Sequence, residues 1–359
     1  MLIIDAHLDL AWNALQGNRN LLHCATTIRT TENRLSGHGR HLGTVGFPDM
    51  RRGHIALSVV TVFARSTGHP VPNMDFATHH QSYAIARGQL AYYRALEREG
   101  IVRVIVDTPS LDAHMGEWTT WEEASADVDA TPPLGLVISM EGADPIADPS
   151  HLQEWWNDGL RFIGLTHYGP GRYAGGTGTE LGLTTLGVEL LAEMERIGVV
   201  LDLTHCSDQS FGEALERYGG PVLASHNNCR ELVPHQRQFT DAQIRAIIER
   251  DGVVGAAFDA WMLQPDWVIG ETKNTDVTLA TVVDHIDHVC QLAGNARHAA
   301  IGTDLDGGFG REQSPRDLDT IADLQKLSAL LEERGYGAKD VEAILHGNWL
   351  RLLRRVWNE

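Results

Sequence analysis

Lysine is almost missing from this sequence. Only Lys273, Lys326 and Lys339 occur, so 26 of the 29 basic residues are arginine, and lysine is not a widely used chemical group here. Cysteine is scarce as well. Cys24, Cys206, Cys229 and Cys290 contain no C-x-x-C pair and are too sparse for a disulfide scaffold, so reduced thiols are expected. Positive charge is outnumbered, with 29 Lys and Arg against 48 Asp and Glu, for a net charge of −19. No Lys/Arg-rich run offsets that surplus, which repels phosphate backbones and anionic lipid and argues against nucleic-acid and membrane-surface roles. No apolar run reaches the roughly 18 residues that span a bilayer, and the opening MLIIDAH lacks the basic segment of a secretory signal. A soluble cytoplasmic protein is expected.

What is present is a globular composition, 43% apolar and 21% charged over 359 residues, enough for two domains or for one elaborated barrel. Short apolar, β-branched runs alternate with longer stretches of helical period, the pattern of βα units around a parallel sheet. Eight such runs can be counted: Leu2 to His7, Ile55 to Phe63, Gly135 to Glu141, Leu160 to His167, Val199 to His205, Pro221 to His226, Gly252 to Phe258 and Ala299 to Asp304. Helical spacing follows in Thr185 to Arg196, Asp241 to Arg250 and Thr281 to Ala293. Eight strands predict a closed (β/α)8 barrel of the TIM type, with Ile101 to Val106 as an excursion between its second and third strands. Gly17 to Met50 and Ser66 to Met74 read as long βα loops, which build the active-site face of a barrel. Without a repeat, a low-complexity tract or a linker, residues 1–359 read as a single domain.

Six of the eight strands end in a metal-capable or titratable side chain: His7 with Asp9, Glu141, His167, His205, His226 and Asp304. In a parallel barrel every strand opens on the same face at its C-terminal end, so these residues converge. Buried together they form a negative cluster that needs compensation, and a divalent metal supplies it. Imidazole and carboxylate ligands without cysteine suit Zn²⁺ or a similar first-row ion. The candidates exceed what a mononuclear site uses, so two metals sharing a bridging carboxylate are expected, activating a bridging water as hydroxide. The bridge in such hydrolases is a carboxylated lysine or a glutamate. All three lysines lie after residue 270, which leaves Glu141.

The segments DAHLDLAW at 5–12, SMEGA at 139–143, GLTH at 164–167, LGLTTLGVELLAEMERIGVVLDLTHCS at 181–207, PVLASHNNCRELVPHQRQFTD at 221–241, IGTDLDGG at 301–308 and GNWLRLL at 347–353 together resemble the membrane (renal) dipeptidase family of zinc peptidases. The likeness runs in order over nearly the whole chain. It implies a binuclear zinc dipeptidase in which His7 and Asp9 bind one zinc, His205 and His226 the other, and Glu141 bridges them. It further implies that His167 polarises the substrate carbonyl, that Arg237 holds the substrate carboxylate and that Asp304 handles the proton. Substrates would be dipeptides, with acceptance of a D-residue at the C-terminal position left open by the sequence, and homodimers occur among similar proteins. Gln238 stands where similar proteins have Asn, and YGPGRYAGG after His167 departs from the family run. The chain looks like the bacterial cytoplasmic branch.

Other readings are weighed beside this one. A deaminase or lactonase on a similar barrel usually carries His-x-His on strand one, where this chain has His7-x-Asp9, and a non-catalytic relative would have lost one of the ligands or Asp304. Gly169, Gly171 and Gly175 miss the dinucleotide spacing and read as a flexible substrate loop. His285 and His288 read as a solvated helix face, Cys206 as packing, and Trp261 and Trp267 as candidates for a substrate wall.

Overall fold

The computed structural model describes residues 1–69, 71–124, 127 and 130–358. Nine strands occur among them: β1 (Ile3–Leu8), β2 (Ile55–Phe63), β3 (Val102–Val104), β4 (Leu134–Glu141), β5 (Leu160–Gly164), β6 (Val200–Asp202), β7 (Val222–Leu223), β8 (Val254–Ala256) and β9 (Ala299–Ile301). All pairings between them are parallel. β1, β2, β4, β5, β6 and β7 lie side by side in that order, and β8 pairs with β9. β3 pairs with the start of β4, so the excursion expected at 101–106 is where the sequence places it. β2 and β4 are buried along their whole length, as expected of strands covered on both faces.

The two sheets approach at both ends. An isolated bridge joins Ala224, after β7, to Val254 in β8. Beyond β9, the Asp304 amide donates to the His7 carbonyl at 3.2 Å, and the Asp5 carboxylate accepts from the Thr303 amide at 2.8 Å and hydroxyl at 2.6 Å. The architecture is therefore a curled parallel sheet with a separate strand pair, rather than one continuous eight-stranded ladder. Strands from β5 onward stop short of the sequence-read runs, and two of those runs close on left-handed residues, His205 and Asp304, with φ of 66° and 60°. Side chains take over the tying there, as when Asp202 accepts from the amides of Thr204 and Ser225 at 3.0 and 3.1 Å.

The helices start where the sequence supplies caps. Thr184 accepts from the Gly187 amide ahead of the helix Thr185–Ile197, which Gly198 ends at φ 90°. Thr240 and Gln243 form a capping box on Asp241–Glu249. Segment 17–50 is more ordered than a loop reading implies. It contains the helices Ala25–Thr31 and Phe47–Arg52 and is strapped to the β9 end by Asp306, which accepts from Thr44 N and Oγ1 and pairs with buried Arg19 at 3.2 Å. Among the described residues no helix is long and apolar enough to cross a membrane.

Candidate active site

Six strand ends, those of β1, β4, β5, β6, β7 and β9, deliver their side chains to one place. The Glu141 Oε1 atom lies 3.5 Å from His7 Nε2, 3.4 Å from His205 Nε2, 3.5 Å from His226 Nε2 and 3.8 Å from His167 Nε2. Asp304 Oδ1 is 3.8 Å from His7 Nε2, and Asp9 is held by the Thr61 hydroxyl. Three sets of donor atoms fall within 4.8 Å of one another: His7, Glu141 and His226; Glu141, His167 and His205; and His7, Asp9 and Asp304. Glu141 belongs to two of them and His7 to two.

The residues fit metal ions. Donors about 2.1 Å from a tetrahedral centre stand about 3.4 Å apart, close to the separations around Glu141. His7 Nε2 is buried without a hydrogen-bond partner, and the Nε2 atoms of His205 and His226 face each other at 3.2 Å. The Nδ1 atoms have hydroxyl neighbours instead, Thr177 at 3.1 Å from His205 and Ser225 at 3.0 Å from His226 and 3.4 Å from His7. A hydroxyl oxygen that accepts the Nδ1 proton leaves the Nε2 lone pair free to ligate.

The electrostatics agree with that donor set. Burial opposes charge on His7, but Glu141, Asp9 and Asp304 around it carry its pKa up to about 10. Asp9 is pushed up to about 7 by burial and the Glu141 charge. Burial drives Asp304 well above the carboxylate range, although His7 pulls it down. Burial lowers His205 to about 3 and His226 well below the imidazole range. The raised proton affinities of His7, Asp9 and Asp304 mark a site where positive charge is favoured, a demand that divalent ions would also meet.

A cavity of about 320 Å³ opens over the cluster, a size that suits a small ligand. Trp12, Phe63, Tyr168, Trp261, Met262 and Ile269 give it apolar walls. Arg237 reaches it from the segment after β7. This guanidinium is 2% exposed; Nη1 donates to Asn227 Oδ1 at 2.6 Å, Nη2 to the His226 carbonyl at 3.0 Å, and Nε has no partner. Gln238 beside it donates to the Met262 carbonyl at 2.6 Å, so the departure at 238 holds a wall segment and does not itself line the cavity.

The chain matches the family model of the membrane dipeptidases, peptidase family M19, over residues 1–358. It belongs to that family. A protein in the pqqA 5′ region of Klebsiella pneumoniae, itself uncharacterized, is 31% identical over 235 residues, 63% of this chain and 83% of that one. An uncharacterized dipeptidase of Schizosaccharomyces pombe is 29% identical over 224 residues, 61% of this chain; the match spans about half of that relative, 52%. Among solved structures, a metallopeptidase from Rhodobacter sphaeroides liganded with a phosphinate mimic of the dipeptide L-Ala-D-Ala has the same fold, with a TM-score of 0.77, 24% identity and 99% of each chain covered. This member of the family is a peptide-bond hydrolase, and the metal-capable clusters above occupy the C-terminal ends of its strands.

Several secondary readings change. The glycine-rich stretch after His167 is tightly packed where a flexible loop was expected: a Cβ on Gly176 would lie 1.8 Å from the His167 carbonyl oxygen, and bridges tie Tyr168 to Thr177 and Gly176 to Cys206. His285 is buried and accepts the Cys229 amide at 3.1 Å, so only His288, paired with Asp241 at 2.8 Å, faces outward as read. Trp261 lines the cavity, whereas Trp267 packs on the core. Cys206 is a buried packing residue, its thiol pushed up to about 12 by burial.

Arg65 and Asp259 also line the cavity and escape the strand-end reading. They follow the two runs that end in phenylalanine, Phe63 and Phe258, by two positions and by one. Asp259 is 6% exposed; its Oδ1 accepts from Gln313 Nε2 at 2.8 Å and the Trp261 amide at 3.2 Å, and burial pushes it up to about 7. The usable signal was a charged residue within two positions of an apolar strand's end.

Proposed function

We propose that the chain is a binuclear zinc dipeptidase, with His7 and Asp9 holding one ion, His205 and His226 the other, and Glu141 both. The closed (β/α)8 barrel of a single domain belongs to the same reading, with the Ala224–Val254 bridge and the Asp5–Thr303 bonds as its two seams. Ions so held supply two things, a water made acidic enough to act as a nucleophile at neutral pH and an electrophile for the carbonyl oxygen.

The remaining work falls to the chain's own groups. Arg237 receives the C-terminal carboxylate of the substrate; a bidentate ion pair there selects chains that end one residue after the scissile bond. His167 presents Nε2 to the carbonyl oxygen as negative charge develops, a contribution of about 3 to 4 kcal/mol for one oriented donor. Asp304 takes the proton from the attacking water and returns it to the departing amine. The Trp261 and Met262 side covers the substrate and limits water.

The observation that carries this reading is Arg237. It is a buried cation beside the metal-capable cluster, bonded to neutral oxygens, with no carboxylate in ion-pair distance among the described residues. Such a charge is costly unless a ligand completes it. The phosphinate dipeptide mimic bound by the Rhodobacter sphaeroides relative supports testing D-residues at the C-terminal position. The zinc-loaded protein, given a panel of L,L and L,D dipeptides with matched tripeptides and C-terminal amides, is expected to cleave dipeptides at least about thirtyfold faster in kcat/KM, the effect of one lost buried charge pair. Equal cleavage of amides and free acids would remove the end-reading role, and no cleavage of any dipeptide would remove the dipeptidase reading.

A further inference from the structure

Among the described residues, Arg65 is the one cavity guanidinium within hydrogen-bond distance of a proposed catalytic side chain. Its Nη1 lies 3.0 Å from Nδ1 of His167. A guanidinium has only donors, so this contact requires an unprotonated Nδ1, and the single proton of the neutral ring sits on Nε2. That nitrogen, 3.8 Å from Glu141 Oε1, is then an N–H donor and has no lone pair in the ring plane for a metal. We infer that Arg65 is a positioning residue that fixes the tautomer of His167, converting a potential metal ligand into the hydrogen-bond donor for the substrate carbonyl.

The placement of Arg65 is over-determined. Its amide donates to the Met74 carbonyl at 3.0 Å, and its carbonyl accepts from the Phe76 amide at 2.8 Å and the Ser82 hydroxyl at 2.9 Å. Its Nε is 3.5 Å from Asp75 Oδ2 and has no hydrogen-bond partner. Asp75 is itself held by the Thr67 amide at 3.1 Å. The His167 ring is pinned from its other sides, with ring centroids of Phe63 at 4.9 Å, Tyr168 at 4.8 Å and His205 at 4.2 Å. Orientation is thus set by packing and protonation site by Arg65. The same donor atom separates His167 from the other three histidines around Glu141, whose Nδ1 atoms face hydroxyls of Ser225 and Thr177 that can accept a proton. Ligand and donor roles are sorted by what stands behind each ring.

This inference rests on the role proposed for His167 and is tested apart from it. Arg65→Met removes the donor at similar length, and, should the Met variant fold poorly, Arg65→Gln places there an amide that can accept from Nδ1 as readily as donate to it. In the zinc-loaded protein each is expected to lower kcat about ten- to a hundredfold, the usual loss for an orienting partner, with KM changed less than about threefold and metal content unchanged. In a His167→Ala background the same change should cost less than about twofold, because coupled residues do not add. Nitrogen-15 spectra of histidine-labelled protein, with His167 assigned by its loss in His167→Ala, should show an unprotonated Nδ1 in the wild type and a protonated Nδ1 gaining population in Arg65→Met. Equal losses in both backgrounds, or a tautomer indifferent to Arg65, would overturn the inference. Full turnover by His167→Ala would instead overturn the carbonyl-polarising role, and the spectra would still decide on Arg65.

Discussion

Asp304→Asn is expected to lower kcat on dipeptides by at least about a hundredfold, the scale of general acid–base catalysis, while the protein keeps its full metal content. The substitution is nearly isosteric, and an amide can neither take the proton from the attacking water nor return it to the amine. Asp304 is suited to the task because burial, aided by Asp9 and Glu141, raises its proton affinity against the opposing pull of His7. Its left-handed backbone, φ 60°, and the bond from its amide to the His7 carbonyl fix where the carboxyl points. Zinc content by mass spectrometry and steady-state rates on one dipeptide suffice. An Asn variant with undiminished turnover would end the proton-transfer role, and one that lost metal would move Asp304 into the ligand set.

Arg237→Met is expected to cost about 2 to 5 kcal/mol in kcat/KM on dipeptides, mostly as a raised KM, and to spare an uncharged ester of the same compound. Removing one member of a buried ion pair leaves the other unpaired, and here the abandoned partner is the substrate carboxylate. Thermal unfolding of the substrate-free variant should occur at an unchanged or higher temperature, since the hydrogen bonds of the buried guanidinium to Asn227 and the His226 carbonyl are to neutral oxygens, which offset its desolvation less than a carboxylate would. This opposition between stability and activity is expected where a site is built to await a charge. Equal losses on acid and ester would refute carboxylate recognition.

The sequence makes the site more legible than the frame that carries it. His7, Glu141, His205 and His226 stand out because a polar residue ending an apolar strand is conspicuous, and parallel strands must bring such ends together. Arg65 and Asp259 belong to the same cavity wall but follow Phe63 and Phe258 by one or two residues, where chain turns decide which way a side chain faces. Arg237 has no periodic signature and is marked only by the ordered likeness to a family. In the frame, the order of strands and the excursion at β3 could be read from alternating runs. Their short ladders could not, because where a backbone leaves its neighbour, as at the left-handed residues His205 and Asp304, is not written in hydrophobic pattern. The strap from Arg19 through Asp306 to Thr44 was equally hidden. It is built of buried charges in a segment whose weak periodicity reads as loop.

Glu141 is proposed to be common to two metal positions, and metal content per chain tests that role most directly. Purified protein loaded with zinc and freed of excess should carry two ions by inductively coupled plasma mass spectrometry, and Glu141→Gln no more than one. One ion per wild-type chain, or two retained by the Gln variant, would contradict it.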